Sequence, residues 1–184
     1  ISILAALQHR NQTGEGQHID ISLMSTVMAM SSGHLSNYMC SGKIPGRTGN
    51  DSPNITPYGV YPCSDGLFII ASANQTQFVA LCNALGHPEW VEDPRFLNNG
   101  TRMAHQKELH ELFSRILSTK PRAHWEELFL KVGVPSGPIN NYAQALEHPQ
   151  VQHLGTRIGL QHATGVEAPG IASPMRFSKS PVSY

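Results

Sequence analysis

From Arg47 to Cys82 the chain passes from a loop rich in turn formers to an alternating β pattern and then to a helical one. Few architectures accept all three in so short a run. Gly42, Pro45, Gly46 and Gly49 precede Asn50, and Pro53 and Pro57 follow it, so Ser41 to Pro57 is predicted to be an irregular loop. Tyr58 to Pro62 and Leu67 to Ala71 flank Ser64-Asp65-Gly66, which is a hairpin signal. Gln75 to Leu85 then sets Phe78, Leu81, Cys82 and Leu85 on one helical face, with Gly86 as its stop. A hairpin followed at once by an amphipathic helix reads as α+β.

The same reading extends in both directions. Ile1 to Arg10 has the pattern of a helix without a start signal, Thr13 to Gly16 turns the chain, and Gln17 to Ser22 alternates as a strand. Leu23 to Cys40 is predicted as one helix with apolar residues on two faces and no charged residue, hence buried in a core or a subunit interface. Ser25, Thr26, Ser31, Ser32, Ser36 and Asn37 make it too polar for a membrane. Downstream, Arg102 to Ser118 reads as an amphipathic helix through Leu109, Leu112, Phe113, Ile116 and Leu117. Pro121 opens a further helix that buries Trp125, Leu128, Phe129 and Val132 and ends at Gly133. A short helix over Tyr142 to Glu147 and weak strands between Thr156 and Phe177 complete the pattern. Residues 58–150 therefore form a small α+β domain. Residues 1–57 (a domain edge, the chargeless helix and a loop) and 151–184 (a return linker) read as incomplete pieces of another domain.

Composition narrows the partners. Thirteen basic and 13 acidic residues cancel, and no Lys/Arg run exists, which argues against nucleic acid. Charged residues are only 14% of the chain, against roughly 25% in ordinary globular proteins, so a covered surface and a homo-oligomer are expected. No apolar run reaches the ~20 residues of a membrane helix. Cys40, Cys63 and Cys82 are scattered and odd in number, as reduced thiols of a cytoplasmic protein would be. The ten His lack metal-ligand spacing, and Gly14-Glu15-Gly16 has Ile19 where a dinucleotide fingerprint needs its third Gly, so no metal and no bound nucleotide cofactor are expected. Among the carboxylates, Asp65 and Asp93 sit at turns and Asp20 at a strand end. Asp51 alone has an active-site address, in a loop where a solvated Asp is the commoner state.

Thr13-Gly14-Glu15-Gly16-Gln17-His18-Ile19-Asp20, the Arg47 to Cys82 run and Gly133-Val134-Pro135-Ser136-Gly137-Pro138, in that order and spacing, resemble the family III CoA-transferases of the CaiB/BaiF type. Pro57-Tyr58-Gly59-Val60-Tyr61 and the long preceding loop look more like the formyl-CoA and succinyl-CoA:dicarboxylate transferases than like α-methylacyl-CoA racemases. The resemblance implies an interlocked dimer whose subunits pair a Rossmann-like large domain with a small α+β domain. It also implies transfer of CoA between carboxylic acids through an aspartyl intermediate, with acyl-CoA as substrate and no covalently bound cofactor. The loop from Gly49 to Pro57 would be a mobile flap over the reacting thioester, giving Gly49, Asn50, Asp51, Pro53, Pro57 and Tyr58 as substrate-binding candidates. The family aspartate would lie upstream of Ile1, which makes this chain a central to C-terminal part, inactive by itself, with Asp51 as the only in-chain substitute. The alternatives are a dimerising or binding remnant without catalysis and a racemase-like part.

Overall fold

A computed structural model describes residues 1–184, and the chain divides into two compact units, Ile1–Gly49 and Asn50–Tyr184. Mixed helices and small antiparallel sheets make the chain α+β, as expected.

In the first unit, α1 (Ser2–Thr13) runs three residues past its expected end. Gly14 at φ 80° stops it and returns its N–H to the Arg10 carbonyl. The strand expected over Gln17 to Ser22 does not form, since no neighbour pairs with it. That segment instead delivers Ser22, whose hydroxyl accepts the Ser25 N–H at 3.1 Å and caps the next helix. The single helix expected from Leu23 to Cys40 is two, α2 (Leu23–Met30) and α3 (Ser32–Ser41). The break falls at Ser31, where Ser31-Ser32-Gly33 gathers three residues of weak helix propensity. No residue of either helix is buried, so the first unit by itself does not give these apolar residues the burial expected of them.

The second unit is built on a hairpin. Strands β1 (Tyr58–Cys63) and β2 (Gly66–Ala71) pair antiparallel around Ser64-Asp65, where the turn residues predicted them. A third strand, β3 (Ser136–Pro138), adds to β2. Its Gly and Pro read as punctuation in the sequence, yet on a sheet edge a proline removes no needed donor. One face of the sheet buries Tyr61, Cys63, Phe68 and Ile70. Against it pack α4 (Gln75–Ala84), capped by Asn74, a 3-10 turn that buries Trp90, and α6 (Gln106–Leu117) with α7 (Arg122–Lys131). The helix expected from Arg102 in fact begins at α5 (Asn99–Ala104) and bends at His105 before α6. Asn98 accounts for the earlier start: its side chain accepts the Thr101 N–H while Thr101 answers with its own hydroxyl, a reciprocal cap. In α7, Trp125 and Phe129 are buried as expected, but Val132 lies past the last helical residue and is exposed.

Every buried core residue lies between Tyr61 and Val134. The remainder is α8 (Tyr142–Glu147), α9 (Pro149–His153) and a separate hairpin of β4 (Arg157–Gln161) and β5 (Glu167–Ile171). No helix is long and apolar enough to cross a membrane.

Burial pushes the Cys63 thiol up to about 11, helped by nearby Asp65, and burial likewise takes Cys82 to about 12, whereas Cys40 is exposed. Only thiolate reacts with a disulfide reagent. The native chain should therefore titrate one thiol with Ellman's reagent at pH 7.5, and three once unfolded. Two or three fast thiols in the native chain would contradict this packing.

Candidate functional site

The loop that the sequence marked as the substrate-binding candidate divides at its first residues. Gly49, at φ 62°, ends the first unit, and Asn50 to Tyr58 belong to the second. Within the second unit the loop is not free. Where the resemblance implies a mobile flap, a set of polar contacts ties the segment to α5 and α6, through partners the sequence reading did not single out.

Those partners are Asn99, Arg102, Gln106 and His110, at intervals of three and four along the α5–α6 axis and so on one side of it. Asn99 works in both directions: its carbonyl oxygen accepts the Thr56 N–H at 3.2 Å, and its amide donates to the Asn54 carbonyl at 2.8 Å. Arg102 donates from Nε to the Thr56 carbonyl at 2.9 Å. Gln106 donates to the Ser52 carbonyl at a long 3.4 Å. His110 Nδ1 stands 3.9 Å from Asp51 Oδ1, too far for a hydrogen bond but close enough for a charge contact when the imidazole is protonated. The loop thus runs antiparallel to the helices, Asp51 opposite the later residue and Thr56 opposite the earlier ones.

Arg102 is the strongest of these anchors. It is 3% exposed, and its Nη1 also reaches the Phe96 carbonyl at 2.9 Å and Gln75 Oε1 at 2.8 Å. The guanidinium carbon lies 4.2 Å from the Phe78 ring centroid. Burial lowers its pKa, and no carboxylate is among its partners, yet a guanidinium stays protonated in such a place. Five donors in a planar fork let one side chain reach acceptors on separate segments at once, a span that the compact ammonium of a lysine does not match.

Asp51, its side chain 34% exposed, sits in a half-open socket. Its Oδ1 would lie 2.1 Å from a Cβ built on Gly59, so the carboxylate fits only because β1 carries glycine there. The Tyr61 ring, 2% exposed, stacks on His110 with centroids 4.5 Å apart. Burial, with the Asp51 charge adding to it, holds the Tyr61 phenol well above its ordinary range. Pro57 is fully buried and its carbonyl accepts the Ser72 N–H at 3.1 Å, while the buried Ser72 hydroxyl has no partner. Tyr58, 37% exposed, offers its carbonyl to the Ser52 N–H at 2.9 Å. Asn50 and Asn54 are exposed and Pro53 is half-buried. Of the sequence candidates, then, Asn50, Asp51, Pro53, Pro57 and Tyr58 share one docked segment.

Other places offer less chemistry. A cavity of about 460 Å³ beside α8, α9 and β4 is lined by Ala143, Leu146 and Val151 with Glu147, Gln152 and Arg157, and shares no residue with the loop. No three His, Cys, Asp or Glu side chains are grouped as metal ligands would be.

The comparisons with known proteins converge. The model of CoA-transferase family III matches residues 1–184. The chain is 39% identical over 188 residues to a succinate–glutarate CoA-transferase of Agrobacterium fabrum, an alignment covering 100% of this chain and 46% of that protein. It is 38% identical over 176 residues to an acetyl-CoA:oxalate CoA-transferase of Acetobacter aceti, covering 96% and 44%. Among solved structures, a CaiB/BaiF family protein from Brucella suis superposes with a TM-score of 0.76 at 38% identity, over 99% of this chain and 47% of the other. The chain spans about half the length of the curated relatives it matches.

Proposed function

Because this chain belongs to CoA-transferase family III, we propose that it forms part of an enzyme that moves CoA between carboxylic acids, with residues 58–150 as the small domain. Residues 1–57 and 151–184 belong in this reading to a Rossmann-like large domain. The observation that carries the proposal is 39% identity along the whole chain to a transferase acting on succinate and glutarate. The docked loop supports it, because it presents a shaped, partly polar segment rather than a slack linker.

The chemistry runs through a covalent enzyme intermediate. An enzyme carboxylate attacks the thioester carbonyl, the C–S bond breaks, and CoA leaves as thiolate from a mixed anhydride. The thiolate then attacks the enzyme-side acyl carbon, which frees the donor acid and leaves CoA on the enzyme as a thioester. A second carboxylate reverses both steps and departs as the new acyl-CoA. Dividing the exchange in this way replaces one hard step by easier ones. Exclusion of water protects the anhydride, and covering it is the role of the loop from Gly49 to Pro57. In this reading the attacking carboxylate comes from outside residues 1–184, and Asp51, with its Oδ1 lodged against Gly59, holds the loop instead of reacting. Acyl-CoA and a dicarboxylic acid are the partners in this reading, in the cytoplasm. A second copy of the chain covers the apolar α2 and α3, where Leu23 is 86% and Met30 82% exposed on the single chain.

Transfer from succinyl-CoA to glutarate or oxalate by the protein that carries this chain, followed by separation of the CoA esters, tests the proposal. Formation of glutaryl- or oxalyl-CoA is the expected result. Proton exchange at C2 of a branched acyl-CoA without any transfer would overturn it in favour of a racemase.

A further inference from the structure

We infer that Asn50 to Thr56 is a docked strap, positioned along the α5–α6 side by Asn99, Arg102, Gln106 and His110, with Asp51 as its anchor and not a reacting group. The inference deepens the reading of the loop given above, but its structural content stands apart from CoA chemistry.

Backbone satisfaction carries the argument. At Ser52, Asn54 and Thr56, alternate residues of the strap, both the N–H and the carbonyl are engaged. The three N–H groups donate to the Tyr58 carbonyl, the Ser52 hydroxyl and the Asn99 side chain at 2.9, 3.3 and 3.2 Å. The three carbonyls accept from Gln106, Asn99 and Arg102 at 3.4, 2.8 and 2.9 Å. An ordinary surface linker leaves most such groups to water, and loops that open readily have few contacts of this kind. Here each carbonyl meets a different side chain of the helices, so displacing the strap would strip several hydrogen bonds at once.

The two ends are fixed by different means. At the far end Thr56 and Pro57 are buried, and Arg102 holds the Thr56 carbonyl from inside the core. At the near end the bare Gly59 backbone and the His110 ring receive Asp51. A carboxylate lodged in that way keeps the strap in register, and the exposed side chains of Asn50, Asn54 and Tyr58 are then carried at set positions. His110, Gln106 and Asn99 act on any substrate only through this segment, which makes them positioning residues.

Hydrogen–deuterium exchange of single amides, measured by NMR on the full chain without any CoA compound, tests the inference. In the native chain the Ser52 and Thr56 amides should exchange at least ~100-fold more slowly than in an unstructured peptide. Asn99→Leu should speed Thr56 exchange by about tenfold while the Leu109 and Phe113 amides keep their protection. Asn99→Asp retains an acceptor for the Thr56 N–H and should leave that amide protected, a rescue that a general packing defect would not show. Free-peptide exchange at Ser52 and Thr56 in the unmutated chain would overturn the proposal, as would equal Thr56 protection in Asn99→Leu. If Asn99→Leu loosens the core amides too, Gln106→Leu replaces it, with Ser52 to Thr56 exchange rising against an unchanged Phe113 as the required result. Because no transfer is read, a negative activity assay leaves this test standing.

Discussion

Arg102→Ala should destabilise the second unit by about 3 kcal/mol, lowering its melting temperature by roughly 6–12 °C for a chain of this size. The substitution strips the Thr56 and Phe96 carbonyls of their donor inside the protein, where each unsatisfied acceptor costs ~1–3 kcal/mol. It also removes the cation from the Phe78 ring, an interaction worth about 1 kcal/mol. Relief from burying an unpaired charge offsets part of the loss, which holds the net figure near the lower end of that sum. Arg102→Lys separates geometry from charge. A single ammonium cannot span carbonyls from two segments and the Gln75 side chain, so it should recover less than half of the stability. Full stability in Arg102→Lys, measured by calorimetry, would show that the fork of donors is not what holds the loop.

Phe113→Ala should cost more, about 3–5 kcal/mol. The ring is fully buried, 5.5 Å from Trp90 and 5.9 Å from Tyr61 between centroids, on the α6 face that also carries Leu109 and Leu117. Truncation removes the transfer energy of a whole aromatic side chain and leaves a void that the surrounding core closes only in part. Phe177→Ala is the matched control, since Phe177 is 55% exposed and its loss should stay within about 0.5 kcal/mol. Chemical denaturation of the two variants side by side reads the difference, and comparable losses would mean that the core is not where the structure places it.

The parts of the fold legible in the sequence are those written in local chemistry. Ser64-Asp65-Gly66 between alternating apolar runs announces the hairpin, Pro121 announces α7, and Gly86 at φ 80° ends the α4 region, because each acts on its own neighbours. The break at Ser31 and the start at Asn99 were also local, yet they rest on a run of three weak helix formers and a reciprocal Asn98–Thr101 cap, which apolar periodicity does not register. The family resemblance was legible from motif order alone. The docking of the loop was not. Asn99 and Arg102 meet partners 43 to 46 positions earlier in the chain, and a polar side chain aimed at a distant carbonyl leaves no periodic trace. The one available signal was the spacing of Asn99, Arg102, Gln106 and His110 on one side of an otherwise amphipathic stretch. Asp51 was legible as an unusual loop carboxylate, but its place against Gly59 depends on a strand that begins seven residues later.

Under the proposed function, the carboxylate that carries the covalent chemistry lies outside residues 1–184. The protein that carries the chain, incubated with succinyl-CoA, should acquire the mass of CoA as an acid-stable, base-labile thioester. After digestion, no peptide from residues 1–184 should bear the adduct, and Asp51→Ala should still form it. An adduct mapped to Asp51, or to any other carboxylate of this chain, would contradict the account.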